Sequence, residues 1–193
     1  PKVTISLEKG RQFKNELTTL ENNRTFETNF ERYCLHILNT NMQTGLDFSI
    51  HNFIKKFEVA GEQKWQDVDS LLLMLIESAI TSDEDSLDKA LRYFLGRGQG
   101  LTPSGDDMIV GFLAFDSVSH FLSNRFYEKL SQLIEGESIT TDVAREYLRY
   151  ALKQQFSSTV ADMVNTLASD NMENFEKVFQ RLLGIGHSSG ADT

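Results

Sequence analysis

The chain has few residues that break or cross-link a backbone. Its 193 residues include one cysteine, Cys34, and two prolines, Pro1 and Pro103. A single cysteine excludes an internal disulfide. Its place on an apolar helical stripe predicts a buried small side chain in a reducing compartment. Because proline inside a helix removes a hydrogen bond and clashes with the preceding turn, its scarcity favours a mainly helical fold.

Long apolar runs and positive charge are also lacking. The longest uninterrupted apolar run, Leu71–Ile76, is far shorter than the roughly 18 residues that span a bilayer. The net charge is −9 and the isoelectric point is about 4.9, whereas nucleic-acid binding needs clustered Lys and Arg. No secretory signal is visible. We therefore expect a cytoplasmic protein whose partners include neither nucleic acid nor a membrane.

Apolar residues recur at helical spacing along most of the chain. The predicted helical segments are 26–38, 46–57, 68–79, 87–94, 104–122, 126–134, 143–152, 160–167 and 172–183. The third segment is apolar on most sides, which predicts the central helix. Short hydrophilic connections predict an antiparallel multi-helix array. We expect one helical domain over 24–193, truncated at its C-terminal end.

The first 23 residues follow a different pattern. Val3–Leu7 alternates in the way of a β-strand, and polar residues follow it. We interpret 1–23 as a strand and a connection, the small remnant of an N-terminal β region.

The first of two glycine-rich turns lies between the fourth and fifth predicted helices. Gly96, Gly98 and Gly100 fall within five residues, although a helix needs only one glycine to end. The additional glycines permit positive φ and a close approach of the backbone to another group. We therefore expect the turn to have a role beyond joining two helices.

The start of the fifth helix is open to two interpretations. Ser104 and Asp107 have the spacing of a capping box, and Asp106 and Asp107 suit the positive end of the helix dipole. In the other interpretation these side chains belong to a functional site. Capping alone does not explain why Gly105 joins the three glycines before it.

A second turn, 184–193, has a similar layout. Gly186 precedes Ser189-Gly190-x-Asp192, as Gly98 and Gly100 precede the Ser-Gly-x-Asp of residues 104–107. The likeness fits a pseudo-repeat of helices folded around a shared centre, or chance similarity between two helix connections. Both explanations stay open.

The chemistry available to such turns is limited. Free N–H groups at a helix start, together with Ser and Thr hydroxyls, bind small anions. His187 can donate to an oxyanion or act as a general acid or base. Neither turn has the Gly-Lys-Ser/Thr of a phosphate-binding loop or the dinucleotide-binding glycine pattern. We expect neither a cofactor nor a bound metal.

Residues 100–107 (GLTPSGDD) and 186–192 (GHSSGAD) resemble the signature motifs of a bacterial family long described as of unknown function. The Thr140-Thr141 and Phe156-Ser157 regions look similar too, and the resemblance covers roughly 90–193. The family includes the small subunit of oxamate carbamoyltransferase, a transferase of anaerobic allantoin degradation in purine catabolism. The resemblance implies carbamoyl transfer with partner protein subunits. The reaction would convert oxalurate and phosphate to oxamate and carbamoyl phosphate.

The first hypothesis is therefore a carbamoyltransferase subunit with a small-anion site at the two turns, binding phosphate, carbamoyl phosphate or oxamate. In it, His187, Asp107 and Asp106 are the candidate catalytic residues. The candidate substrate-binding residues are Gly98, Gly100, Thr102, Ser104, Gly105, Gly186, Ser188, Ser189, Gly190, Asp192, Arg97 and Arg145. The two arginines are the nearest positive charges.

Two alternatives are kept. One is a non-catalytic subunit that binds a small anion or serves in assembly. The weaker one is a metal-dependent hydrolase that uses the aspartates and His187.

Overall fold

The computed structural model describes residues 17, 23–40, 42, 44–47, 49–58, 67–81, 83–186 and 188–193. The strand expected at 3–7 and the candidate His187 lie outside these ranges. The described residues form ten helices: α1 (Asn23–Asn39), α2 (Ile50–Glu58), α3 (Asp67–Thr81), α4 (Glu84–Phe94), α5 (Ser104–Ser119), α6 (Asn124–Gly136), α7 (Asp142–Ala151), α8 (Ser158–Ala168), α9 (Phe175–Leu183) and α10 (Ser189–Asp192). The prediction of a mainly helical fold is confirmed.

Several of these helices begin with a side-chain cap. Asp83, Ser123, Thr141 and Ser157 each accept a hydrogen bond from the backbone N–H three residues later. Such a cap satisfies one of the four N–H groups that a helix start leaves without a partner. Each cap therefore marks the residue at which its helix begins.

The central position belongs to α5. It packs against α7, α8 and α10, whereas the main neighbour of α3 is α4. The expectation that the third helix is central is therefore wrong. Its apolar residues indicate burial but not which helices cover them. Gly111 in α5 lies so close to the backbone of Thr193 that an added Cβ would come within 2.0 Å of its carbonyl oxygen. A small residue here lets α10 approach α5.

The fifth helix also ends earlier than the predicted Leu122. His120 adopts the left-handed conformation, with φ 53°, and its N–H bonds to the carbonyl of Asp116. A left-handed residue at this position ends a helix and satisfies a terminal carbonyl. The Asp116 carboxylate then accepts from the N–H of Leu122 at 2.7 Å and from the hydroxyl of Tyr127, which fixes the connection to α6.

The core is one cluster of buried apolar side chains. Its largest fully buried members include Phe94, Phe126 and Phe179. Phe94 is the last residue of α4 and stands immediately before the first glycine-rich turn, so the turn starts from a fixed point. Cys34 is half-buried rather than buried as expected. Among the described residues, no helix combines the length and the apolar character needed to cross a membrane.

Candidate active site at two glycine-rich turns

The first turn uses its glycines as the sequence predicts. Gly96, Gly98 and Gly100 have φ of +73°, +124° and +89°, values that side chains with a Cβ rarely adopt. The chain then folds back on itself, and the N–H of Gly105 donates to the carbonyl of Arg97 at 2.8 Å. This bond closes the turn against the start of α5.

In each turn, the glycine that follows the serine of the Ser-Gly-x-Asp pattern allows a close backbone contact. A Cβ on Gly105 would lie 1.9 Å from the carbonyl oxygen of Phe94, and one on Gly190 would lie 1.8 Å from that of Leu182. Each glycine thus allows the start of one helix to pack directly against the end of the helix before it. The two turns share this packing as well as their sequence layout, which favours the pseudo-repeat over chance similarity.

Asp106 holds the first turn in place. Its Oδ2 accepts hydrogen bonds from the N–H of Gly96 at 3.0 Å and from the hydroxyl of Thr140 at 2.9 Å. The side chain is almost completely buried, and its Oδ1 has no hydrogen-bond partner in the described part of the chain. Burial raises the pKa of Asp106 to about 6, against the lowering effect of the bonds from Thr140 and Gly96. The carboxylate therefore ties the first turn to the residues just before α7.

The two turns meet side by side. The hydroxyl oxygens of Thr102 and Ser189 are 3.4 Å apart, and those of Ser104 and Ser188 are 3.5 Å apart. Each pair joins one residue of the first turn to one of the second. The interpretation of Ser104 and Asp107 as a capping box is wrong, because α5 begins without a side-chain cap and the Ser104 hydroxyl faces Ser188.

Asp107 lies at this junction. Burial raises the pKa of Asp107 to about 7. Hydrogen bonding to Ser189 and Thr102 opposes that rise, while the charges of Asp192 and Asp106 add to it. Its Oδ2 is buried without a hydrogen-bond partner among the described residues. A carboxyl group that titrates near neutrality and has unused hydrogen-bonding capacity suits proton transfer or amide binding.

A third chain segment reaches the junction from the connection before α2. The N–H of Gly45 donates to Oδ1 of Asp192 at 3.0 Å, while Oδ2 of Asp192 has no hydrogen-bond partner among the residues that the structure describes. A Cβ on Gly45 would lie 1.9 Å from the hydroxyl oxygen of Ser104 and 2.8 Å from that of Ser188. No sequence pattern indicates this contact, since Thr44-Gly45 has the composition of an ordinary connection between helices.

A pocket of about 380 Å³ opens beside the junction. Its described lining residues are Thr102, Asp107, Val110, Tyr147, Gln155, Phe156, Ser157, Thr159, Val160, Ile185, Gly186, Ser189 and Thr193. Residues from both turns thus share one pocket with the start of α8 and the outer side of α7. Sequence reasoning missed Tyr147 and Gln155, because they come from other elements and match no local pattern.

One comparison with known proteins decides the family. Residues 94–193 match the model of the family described as oxamate carbamoyltransferase subunit AllH. The chain belongs to this family. No solved structure matches the chain. The resemblance seen in the two motifs is thereby confirmed.

The AllH segment contains every described residue that lines the pocket. Both glycine-rich turns, α7 and α8 lie inside it, and of the contacts described above only that of Gly45 comes from outside. The family description names a subunit, which implies partner subunits.

The two arginines expected near the site have other contacts in this AllH chain. The Arg97 guanidinium lies 4.2 Å from the centre of the Tyr93 ring. Arg145 pairs with Asp142 at 3.3 Å and donates to the carbonyl of Glu137 at 3.1 Å. Neither arginine is among the described residues that line the pocket, and none of those is Lys or Arg.

The remaining candidates divide between the pocket and its supports. Thr102, Gly186 and Ser189 line the pocket with Asp107, whereas Asp106 is not among the lining residues. Thr141 caps α7 and donates to the carbonyl of Leu101, so its hydroxyl is occupied. Within the described part of the chain, no group of three or more His, Cys, Asp or Glu side chains is arranged to hold a metal ion.

Proposed function

We propose that this pocket binds the reactants of carbamoyl transfer in an oxamate carbamoyltransferase, and that the Asp107 carboxylate accepts a hydrogen bond from their amide nitrogen. The observation that carries the proposal is the position of Asp107. It lines the pocket at the junction of both turns, and its Oδ2 has no hydrogen-bond partner among the described residues. Buried polar groups are nearly always paired, so an unpaired one at a pocket marks a ligand contact.

The reactants share the chemistry that this arrangement suits. Oxamate, oxalurate and carbamoyl phosphate each have an –NH2 group on a carbonyl carbon and an anionic group at the other end. A carboxylate accepts from the –NH2 group and repels the anionic end. The hydroxyls of Thr102 and Ser189 hydrogen-bond to Asp107 and hold its carboxylate in place beside the pocket. The reactant therefore lies with its amide end toward Asp107.

The reaction itself needs one proton to move. A phosphate oxygen attacks the ureido carbon of oxalurate, the bond from that carbon to the nitrogen of the oxamate unit breaks, and this nitrogen takes a proton. Asp107, with a pKa of about 7, can give that proton or pass it through a neighbouring hydroxyl. His187 lies outside the described residues and keeps its proposed part as donor to the oxyanion.

A second candidate is a subunit that binds a small anion without catalysing transfer. The pocket's lack of Lys and Arg among its described lining residues favours the assembly role within this candidate, because an anion held at one site alone needs compensating charge. The two candidates predict different effects of the same substitution. Asp107→Asn lowers turnover strongly in a catalytic subunit, whereas it changes only binding or assembly in a non-catalytic one.

The test of the proposal is calorimetric titration of the assembled enzyme with oxamate and with oxalate, which has oxygen in place of the –NH2 group. We expect oxamate to bind more tightly than oxalate. Asp107→Asn should weaken oxamate binding by about 10- to 100-fold, the value of a hydrogen bond to a charged group. The matched control is Asp85→Asn, at an exposed aspartate in the first turn of α4, the end of that helix away from the first glycine-rich turn. Equal binding of oxamate by both variants would contradict the proposal.

A further inference from the structure

Exposed apolar side chains are concentrated on one side of α7. Leu101, Val143, Tyr147 and Tyr150 are 69%, 39%, 53% and 53% exposed, and we call them the α7 ridge. They are four of the six large apolar side chains that are exposed in the described part of the chain. Scattered apolar residues on a surface are ordinary, whereas a cluster of them marks an interaction surface.

The ridge is continuous along the helix. Residues four and three positions apart lie on the same face, which places Val143, Tyr147 and Tyr150 in one row. The Leu101 carbonyl accepts a hydrogen bond from the hydroxyl of Thr141, the capping residue of α7, so the backbone of Leu101 lies at the N-terminal end of the row. The fold does not need the row for its own core, because Ala144, Leu148 and Ala151 form the buried face of α7.

The ridge also borders the proposed site. Tyr147 belongs both to the ridge and to the lining of the pocket. A protein seated on the ridge therefore lies at the pocket. Tyrosine is among the residues that contribute most to binding at interfaces, because its ring buries a large area with little loss of side-chain freedom.

Charge indicates what kind of protein the ridge binds. The reactants are anionic, and no described lining residue of the pocket is Lys or Arg. The arginines of α7 are already paired, Arg145 with Asp142 and Arg149 with Glu135. A protein seated on the ridge can supply the positive charge that the described lining of the pocket lacks. A second copy of this chain, with net charge −9, would be repelled by the first.

We propose that the α7 ridge is the docking surface for another subunit of the same enzyme, one that presents an Arg or Lys side chain to the pocket. The inference rests on the proposed function, since the anionic reactants create the need for a positive charge. It makes the pocket a site shared between subunits, with the amide end of the reactant held by this chain and the anionic end by the partner.

The test uses the double variant Val143→Glu/Tyr150→Glu, which leaves the pocket lining unchanged. Its control is Leu35→Glu/Ile80→Glu, which places the same charges at the other two exposed apolar positions. Each chain is titrated against the partner subunits of the enzyme. We expect the ridge variant to bind them at least about 30-fold more weakly, the effect of losing one strong interface residue. The control should bind as the unmodified chain does.

Three further measurements make the outcome decisive. Equal thermal unfolding of both variants shows that the ridge variant is folded. The isolated chain should bind oxamate at least about tenfold more weakly than the assembled enzyme, because the partner's positive charge is absent. Sedimentation of the isolated chain tests for a homodimer. A homodimer that the ridge variant dissociates would assign the ridge to a second copy and overturn the inference.

The inference and the proposed function can fail separately. Normal assembly of the ridge variant, with oxamate binding still lost in Asp107→Asn, would overturn the ridge and leave the pocket proposal standing. Lost assembly of the ridge variant, with oxamate binding unchanged in Asp107→Asn, would overturn the pocket proposal and leave the ridge as a docking surface.

Discussion

At the scale of single residues, the aspartates of the two turns have different tasks despite their similar sequence settings. Oδ2 of Asp106 accepts two hydrogen bonds from within the protein, whereas Asp107 lines the pocket. Asp192 accepts a hydrogen bond from the N–H of Gly45. The three carboxylates are close enough that the charges of Asp192 and Asp106 raise the pKa of Asp107. Such crowding of like charges is costly to the fold and typical of functional sites.

The raised pKa of Asp107 predicts how the stability of the fold depends on pH. The pKa of Asp107 rises from its ordinary 3.8 to about 7 in the folded chain, so between these values the folded state holds a proton that the unfolded state has lost. The stabilisation from that proton is complete below about pH 4 and is lost as pH rises through about 7. Asp107→Asn removes this dependence, while Asp106 keeps its own. We therefore compare the melting temperature of the variant with that of the unmodified chain at each pH. We expect the variant minus the unmodified chain to be larger at pH 8 than at pH 5.

Thermal unfolding at the two pH values measures this difference, with Asp85→Asn as the control. A melting-temperature difference between Asp107→Asn and the unmodified chain that is the same at pH 5 and pH 8 would show that Asp107 does not titrate near 7 in the folded chain.

Some of these residues were predictable from the sequence and others were not. The Ser-Gly-x-Asp pattern pointed to Ser104, Asp107, Ser189 and Asp192, because glycines beyond those a helix end needs signal a special backbone. The pattern could not separate capping from pairing between turns, since both place a serine at a helix start. Gly45 was out of reach, because it meets Asp192 only through the fold.

At the scale of elements, the glycines that let consecutive helices pack closely determine where the two turns lie. Gly105 contacts the end of α4 and Gly190 the end of α9, each against a backbone carbonyl. Backbone cannot move aside as a flexible side chain can. The pairs α4–α5 and α9–α10 are therefore held at fixed angles. The starts of α5 and α10 meet at the pocket.

Gly105→Ala should accordingly destabilise the fold. Its Cβ would lie 1.9 Å from the Phe94 carbonyl oxygen, and overpacking of this kind costs about 1–3 kcal/mol. For a chain of this size the melting temperature should fall by about 2–4 °C for each kcal/mol. The control is Gly136→Ala at the end of α6, where an added Cβ meets nothing within 4 Å. Equal melting temperatures for the two variants would show that the contact with Phe94 does not constrain the turn.

The elements themselves were largely predictable. Helical periodicity reports which residues face apolar neighbours, and it located the segments that became α1 to α9. It does not report which helix those neighbours belong to, and this is why the third helix was taken as central in place of α5. The end of α5 depended on the left-handed conformation of His120 and the bonds to Asp116, which no periodicity contains.

At the scale of the whole molecule, the pocket proposed to bind anionic reactants belongs to an acidic chain and has no described Lys or Arg in its lining. Membership of a family of enzyme subunits resolves this contrast, because a partner can complete the charge at the α7 ridge. Composition predicted the acidic character, and the two motifs predicted the family. The ridge was not predictable, since the exposure of Tyr147 and Tyr150 depends on how α7 packs on α5.

The most direct test of the account is the initial rate of carbamoyl phosphate formation from oxalurate and phosphate by the enzyme assembled with Asp107→Asn. If Asp107 binds the amide and moves the proton, kcat/KM should fall by about 100-fold or more, the range of a general acid–base contribution, while assembly remains intact. Unchanged kcat/KM in a fully assembled enzyme would contradict the placement of the reaction in this pocket.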